Sequence, residues 1–336
     1  MTPCRFLVGG RLLVLSLVWV GVGGPAFAQT SATAVGFEAW RETVLRPAAL
    51  QSGITPKTFD NAVPFLTFLP RVIELDQQQP EDTRTLNAYS RSALSPANVR
   101  RGRQVLNDER VTLQGVSQNE GVPPSVIVAL WSVESRYGKQ IGSFPVLSSL
   151  STLAYEGRRA AFFQNELLEA LQILQEEGLN PAALRGSWAG AMGQCQFMPS
   201  TYRRFAVDGD GDGRRDIWNN RADVLASIAH YLAAEGWRRG QTWGLEVRVP
   251  PGGVPDSDRD PRSVQAQRVW ELLGVRTLQG GALPVTLPQA SLLESGDSSG
   301  RVFLVGDNFQ ALRHWNRSSR FALTVGLLAD ALGGVR

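Results

Sequence analysis

Two groups of side chains in this 336-residue chain have types and spacings that could do chemistry. The first is a lone carboxylate, Glu134, in I127-V-A-L-W-S-V-E-S-R-Y-G138. Pro123-Pro124 suits the opening turn of a helix, and Val126, Ile127, Leu130 and Val133 recur at spacings that face a core. A carboxyl held against apolar surface and Trp131 should have a raised pKa, because desolvation penalises its charged form, and that suits a proton donor near neutral pH. Glu134 is therefore the candidate general acid. The plainer alternative is that it pairs with Arg136 or a distant arginine and ends a helix.

The second group is D208-G-D-G-D-G-R-R-D-I-W-N-N-R-A-D223. Asp208, Asp210 and Asp212 occupy the first, third and fifth positions of a calcium loop. Gly213 provides the turn at the sixth, Arg214 offers its carbonyl at the seventh, and Asp216 stands at the ninth. Asn219 replaces the usual bidentate glutamate at the twelfth, which leaves Asp223 to supply the last ligand. Hard oxygen donors at alternate positions suit Ca²⁺, here as a structural ion, while an acidic turn without metal is the alternative. Other groups carry weaker signals. Cys195 lacks a histidine in any recognisable protease pattern, and Glu166 and Glu169 are expected on the solvated face of an amphipathic helix.

These residues need helices to position them. Apolar positions recur at helical spacing in F37-E-A-W-R-E-T-V-L, R100-R-G-R-Q-V-L-N-D-E-R-V-T-L and R159-A-A-F-F-Q-N-E-L-L-E-A-L-Q-I-L-Q, the last ending near Gly178. A further helix should run from Ala222 to Gly236, and two more through F309-Q-A-L-R-H-W and S319-R-F-A-L-T-V-G-L-L-A-D-A-L. Between them G186-S-W-A-G-A-M-G-Q-C-Q-F-M-P-S-T-Y202 is rich in small residues, which allow close backbone approach, and in neutral amides, which suit an uncharged polar ligand such as a sugar. Near the C-terminal third, E246-V-R-V, L283-P-V-T-L and R301-V-F-L-V read as short strands around one helix. The expected class is α+β, mainly α.

Residues 1–28 have the pattern of an export leader: Arg5 and Arg11 precede an apolar run that closes on Ala26-Phe27-Ala28. That run is too short for the ~20 residues of a spanning helix, and Cys4 lies ahead of it rather than at a lipid-attachment position. A soluble, periplasmic product is expected, with no integral membrane segment after cleavage. Losing the leader removes two arginines and no acid, which takes the formal charge from +3 to +1 and gives no nucleic-acid signature. Cys195 would then be the remaining cysteine, so the fold must rest on core burial rather than a disulfide.

With these elements placed, the chain resembles the membrane-bound lytic murein transglycosylase B family over nearly all of its length beyond the leader. The resemblance is carried by V-P-P-x-x-I-V-A-L-W-x-V-E-S-x-Y-G around Glu134, G-A-M-G-x-x-Q-F-M-P-S-x-Y from Gly190 to Tyr202, the Asp-rich loop, and W-N-R-S-S-x-F near Asn316. It implies a lysozyme-like helical core in 116–240 with the calcium loop, a helical domain in 29–115, a small β-rich domain in 241–306, and C-terminal helices in 307–336. The final helix, 318–336, would pack with the helical domain. It also implies cleavage of peptidoglycan strands at the β-1,4 bond between N-acetylmuramic acid and N-acetylglucosamine, with Glu134 as acid then base, 1,6-anhydro ends as product and no cofactor for the chemistry. By motif position Ser187, Gln196 and Tyr231 would line the cleft, Met192 would add apolar wall, Asn316 a polar group, and Tyr89 would reach in from the helical domain. Phe321 stands where a tyrosine is expected. A hydrolytic muramidase and a noncatalytic peptidoglycan-binding protein are the alternatives, and nothing in the sequence identifies a cell-wall machinery partner.

Overall fold

The computed structural model describes residues 33–78, 84–260 and 262–333, so the expected leader lies outside the described residues. The chain is α+β and mainly helical. At its centre the helix Pro124–Ser135 is buried on all sides from Val126 to Ser132. It packs chiefly on the C-terminal helix Ser319–Gly333, and also on Arg221–Ala234 and Pro96–Asp108. The C-terminal helix touches Leu86–Ser90 and Pro96–Asp108 as well.

Local chemistry sets the helix ends. Thr55, Thr85 and Ser95 each turn a side-chain oxygen onto the first-turn N–H groups of the following helix, satisfying donors that have no partner inside it. Gly157 and Gly178 stop Val146–Glu156 and Ala160–Glu177 in left-handed conformations. The run beginning at Arg100 breaks at Glu109 into Pro96–Asp108 and Arg110–Glu120.

Two antiparallel sheets complete the fold. The strands β1 (Phe144–Pro145) and β2 (Arg185–Gly186) form a short ribbon beside the core. A five-stranded sheet comprises β3 (Gly244–Arg248), β4 (Gln265–Ala266), β5 (Arg276–Thr277), β6 (Gln289–Glu294) and β7 (Val302–Val305), in the order β4-β6-β7-β3-β5. Alternation divides its faces: Phe303 and Val305 join the main core, while Leu304, Leu292 and Ala290 close a satellite core around the fully buried Trp270.

One strand lies elsewhere than the sequence pattern indicates. L283-P-V-T-L is a turn segment, and the neighbour of β7 is Q289-A-S-L-L-E294. Pro284 has no N–H for a ladder, and Val285 points to solvent while Leu283 and Leu287 anchor the turn in the satellite core.

Candidate active site

The helix that carries Glu134 ends one residue after it. Arg136, Tyr137 and Gly138 all take positive φ, at 51°, 60° and 80°, a region that costs non-glycine residues roughly 1 kcal/mol or more each. Hydrogen bonds hold the reversal: the Gly138 N–H donates to Ser135 Oγ at 3.1 Å, the Gln140 N–H to the Ser135 carbonyl at 2.8 Å, and the Tyr137 hydroxyl to the Asn98 carbonyl at 3.1 Å. Gly138 is required twice over, since a Cβ there would sit 2.2 Å from Gln194 Oε1.

Glu134 faces a hollow of about 290 Å³ whose walls include Tyr89, Ser92, Asn98, Arg136, Gln140 and Thr324. Its carboxylate accepts one hydrogen bond, from Trp315 Nε1 at 2.7 Å. Surrounding protein desolvates it and raises its pKa to about 7, and the indole N–H pulls the other way. Among the described residues no cation forms a salt bridge to it, and Arg136 reaches Ser92 Oγ instead.

Trp315 is the residue that sequence reasoning missed. It lies 181 positions from Glu134, at the end of the helix Asp307–Trp315. Its ring lies between two others, with centroids 5.2 Å from Phe197 and 4.6 Å from Tyr231. Trp131, which the sequence places against Glu134, instead donates its indole N–H to Gln194 Oε1 at 3.0 Å. Trp315→Phe keeps the packing and removes the donor. Hydrogen bonds to charged groups are worth about 1.5–3 kcal/mol, so the Glu134 pKa should rise by about one unit or more. The alkaline limb of the kcat/KM profile should move to higher pH by that amount, and an unmoved limb would mean that the indole does not tune the acid.

The structure distributes the other sequence candidates unevenly. Tyr89 lines the hollow, with the Arg84 guanidinium 5.0 Å above its ring. Tyr231 is buried against Trp315, and burial pushes its hydroxyl to about 12. Gln196, at φ 52°, spends its Nε2 on the carbonyls of Ile141 at 3.1 Å and Gly193 at 2.9 Å, and so braces the loop next to Gln140. Gln194 is a buried strut, donating to the Trp218 carbonyl at 2.7 Å. Ser187 Oγ accepts from the Ala191 N–H at 3.0 Å, while Met192 is fully buried in the turn that links Gly186 to Phe197. Asn316 is exposed and caps the next turn by accepting from the Ser318 N–H at 3.0 Å. Phe321 is buried in the core.

One acid differs from its expected setting. Glu166 is buried, not solvated, and accepts from the Ser200 N–H at 2.9 Å and Oγ at 2.7 Å. A carboxylate at a helix N-terminus satisfies donors that lack partners there, so Glu166 fixes the start of Pro199–Phe205. Glu169 pairs with Arg203 at 2.6 Å. Cys195 is fully buried, and burial pushes its thiol pKa up, which removes it as a nucleophile.

In the Asp-rich loop, carboxylate oxygens of Asp208, Asp210 and Asp212 all lie within 4.8 Å of one another. The loop is preshaped: Asp208 accepts the N–H groups of Gly211 at 2.6 Å and Gly213 at 2.7 Å, and these bonds hold its pKa below the ordinary value. Asp216 and Asp223 stand apart from that trio. Asp216 Oδ1 accepts the N–H groups of Trp218 and Asn219, both at 2.9 Å. Asp223 is buried and ties the loop's two ends by accepting from Gly209 and Asp216, both at 2.7 Å. Three converging hard oxygens fit a calcium ion.

The transglycosylase SLT domain model matches residues 36–330 of this chain. Membrane-bound lytic murein transglycosylase B of Escherichia coli is 33% identical over 250 residues, covering 74% of this chain and 67% of the relative. Among solved structures, SltB3 from Pseudomonas aeruginosa in complex with NAG-anhNAM-pentapeptide is 45% identical and superposes with a TM-score of 0.84, over 89% of this chain and 80% of that one. The E. coli lytic transglycosylase Slt35 in complex with calcium is 29% identical with a TM-score of 0.73, over 91% and 94%. The fold is accordingly lysozyme-like. A family match over most of the length, joined to a fold that sets one desolvated glutamate into a hollow, leads to one conclusion: the chain belongs to the SLT-domain family of lytic murein transglycosylases.

Proposed function

We propose that this enzyme cleaves the β-1,4 bond between N-acetylmuramic acid and N-acetylglucosamine in peptidoglycan and leaves 1,6-anhydromuramoyl ends. One observation carries the reading: among the described residues lining the hollow, Glu134 is the only carboxylate. Ordinary glycosidases need a second carboxyl, about 5–9.5 Å away, as nucleophile or base. Glu166, the other buried glutamate, is engaged by Ser200.

A single acid suffices when the substrate supplies the nucleophile. Protonated Glu134 gives its proton to the leaving glycosidic oxygen as the C1–O bond breaks. The resulting carboxylate, steadied by the Trp315 N–H, takes the proton of the muramoyl 6-hydroxyl while O6 bonds to C1. Glu134 ends the cycle protonated, no water is consumed, and no cofactor takes part. Around it Tyr89, Ser187, Gln196 and Asn316 form the sugar-binding surface, the buried Met192 and Tyr231 support it from within, and Gln196 Oε1, which has no protein donor among the described residues, accepts a sugar hydroxyl. One relative, SltB3, crystallised with both NAG-NAM-pentapeptide and its anhydro counterpart, supports peptide-bearing glycan as the ligand. On this reading 116–240 is the catalytic unit flanked by 29–115 and 241–306, the Asp-rich loop holds a structural Ca²⁺, and the enzyme works in the periplasm after losing residues 1–28. Among the described residues no helix is long and apolar enough to cross a membrane.

Mass spectrometry of the soluble products from purified sacculi tests the chemistry. Anhydro-muropeptides are expected, and products heavier by one water would replace this mechanism with hydrolysis. Since the general acid must start protonated, kcat/KM should fall as pH rises through about 7. A profile flat from pH ~6 to ~8 would contradict that assignment.

A further inference from the structure

A second hollow, of about 620 Å³, is separated from the acid by two aromatic rings: Tyr231 lines it and packs at 4.6 Å on Trp315, the indole bonded to Glu134. Its walls carry Arg204, Arg313, Arg317 and His314 against one carboxylate, Glu235. Glu235 is already engaged, by His314 Nδ1 at 3.0 Å and Arg204 at 3.5 Å. The terminal nitrogens of Arg313 reach only neutral oxygens, at 3.5 Å, and its Nε is buried without a partner. Arg317 has no ion pair among the described residues. Two guanidinium groups thus face the hollow without counter-charge, and a guanidinium is the donor best matched to a planar carboxylate.

We infer that this hollow binds a carboxylate of the peptide stem of the peptidoglycan strand. The inference rests on the function proposed above and adds which part of the substrate is read there. A glycan of N-acetylated sugars is uncharged, since the lactyl carboxyl is consumed in the amide to the stem, so the anionic groups of such a strand belong to the peptides. A cationic hollow linked to the acid through Tyr231 and Trp315 would therefore select glycan by its stems, and stripped glycan would lose those contacts.

The test is a titration of the full-length protein with NAG-NAM-pentapeptide, which lacks the cleavable bond, and with the same compound after its carboxyl groups are amidated. Binding about tenfold weaker on amidation is expected, as befits loss of a charge-assisted pair. Arg313→Gln and Arg317→Gln should each weaken the free-carboxylate ligand several-fold, and the double variant should no longer distinguish the two ligands. Arg317 is exposed, so its variant carries the test even if Arg313→Gln fails to fold. Equal binding of the two ligands by wild type, equal losses on both ligands in the variants, or displacement of the muropeptide by stoichiometric inorganic phosphate would each overturn the inference. Because the titration needs no turnover, failure to release products from sacculi would strike the proposed reaction and leave this inference standing.

Discussion

Glu134→Gln is expected to abolish turnover while leaving the protein folded and able to bind glycan. The amide keeps the shape and can still accept the Trp315 N–H through its oxygen, but it cannot exchange a proton. Loss of a general acid or base costs about 10² to 10⁴ in rate, and more when one group serves both steps. The same variant should gain stability, with a sign fixed by linkage. Folded Glu134 holds its proton up to about pH 7 against a model value of 4.5, so between those values the folded state binds the extra proton. Wild-type stability therefore falls as pH rises through that window, by at most about 3 kcal/mol and less to the extent that the hollow admits water. Glutamine has no such loss. The variant should melt a few degrees above wild type at pH ~8 and level with it near pH ~4. Wild-type-like product release would sink the mechanism, and an equal melting difference at both pH values would sink the account of the carboxyl's environment.

How far the site could be read in advance depended on distance along the chain. The mainly helical class was legible because it rests on local spacing and punctuation, as at Gly157 and Gly178. The strand Gln289–Glu294 was hidden because both of its faces are covered: Ala290, Ser291 and Leu292 are all buried, which erases the alternation that marks a half-exposed strand. Glu166 looked like a surface residue because the helix Ala160–Glu177 is amphipathic, and only the docking of Pro199–Phe205 onto that helix makes it a cap. Trp315 could not be assigned at all from local pattern. Its partner is far away in sequence, and the contact exists because the helix Asp307–Trp315 returns to the core after the sheet. The motif G-A-M-G-Q-C-Q-F suggested amides waiting for sugar, yet one amide is wholly structural and the other half so. Residue type indicated polarity, and only the fold could say which donors remain unspent.

Calcium should stabilise the enzyme without touching its chemistry, and the loop's hydrogen bonds decide which variant tests this. Asp208, Asp210 and Asp212 bring three carboxylates within 4.8 Å of one another, a repulsive cluster that a divalent cation relieves. A ligand held only by the native state contributes RT ln(1 + [L]/Kd), about 2.7 kcal/mol at ~100 times its Kd, which for a domain of this size is roughly 5 °C in Tm. Adding Ca²⁺ to chelator-treated protein should produce a shift of that order, with Mg²⁺ giving less because it prefers a tighter octahedral shell. Asp208 and Asp223 are poor probes of the ion, since each accepts two or more backbone N–H groups and its loss would unravel the loop with or without metal. Asp212 accepts only the Arg214 N–H, at 2.8 Å. Asp212→Ala should therefore melt near the apo wild type and respond little to calcium, while Glu134→Gln should keep the full shift, because an ion held by these aspartates would brace the loop and take no part in the proton transfer. If calcium leaves wild type unmoved, or Asp212→Ala responds as wild type does, the three aspartates are an acidic turn held by its own backbone.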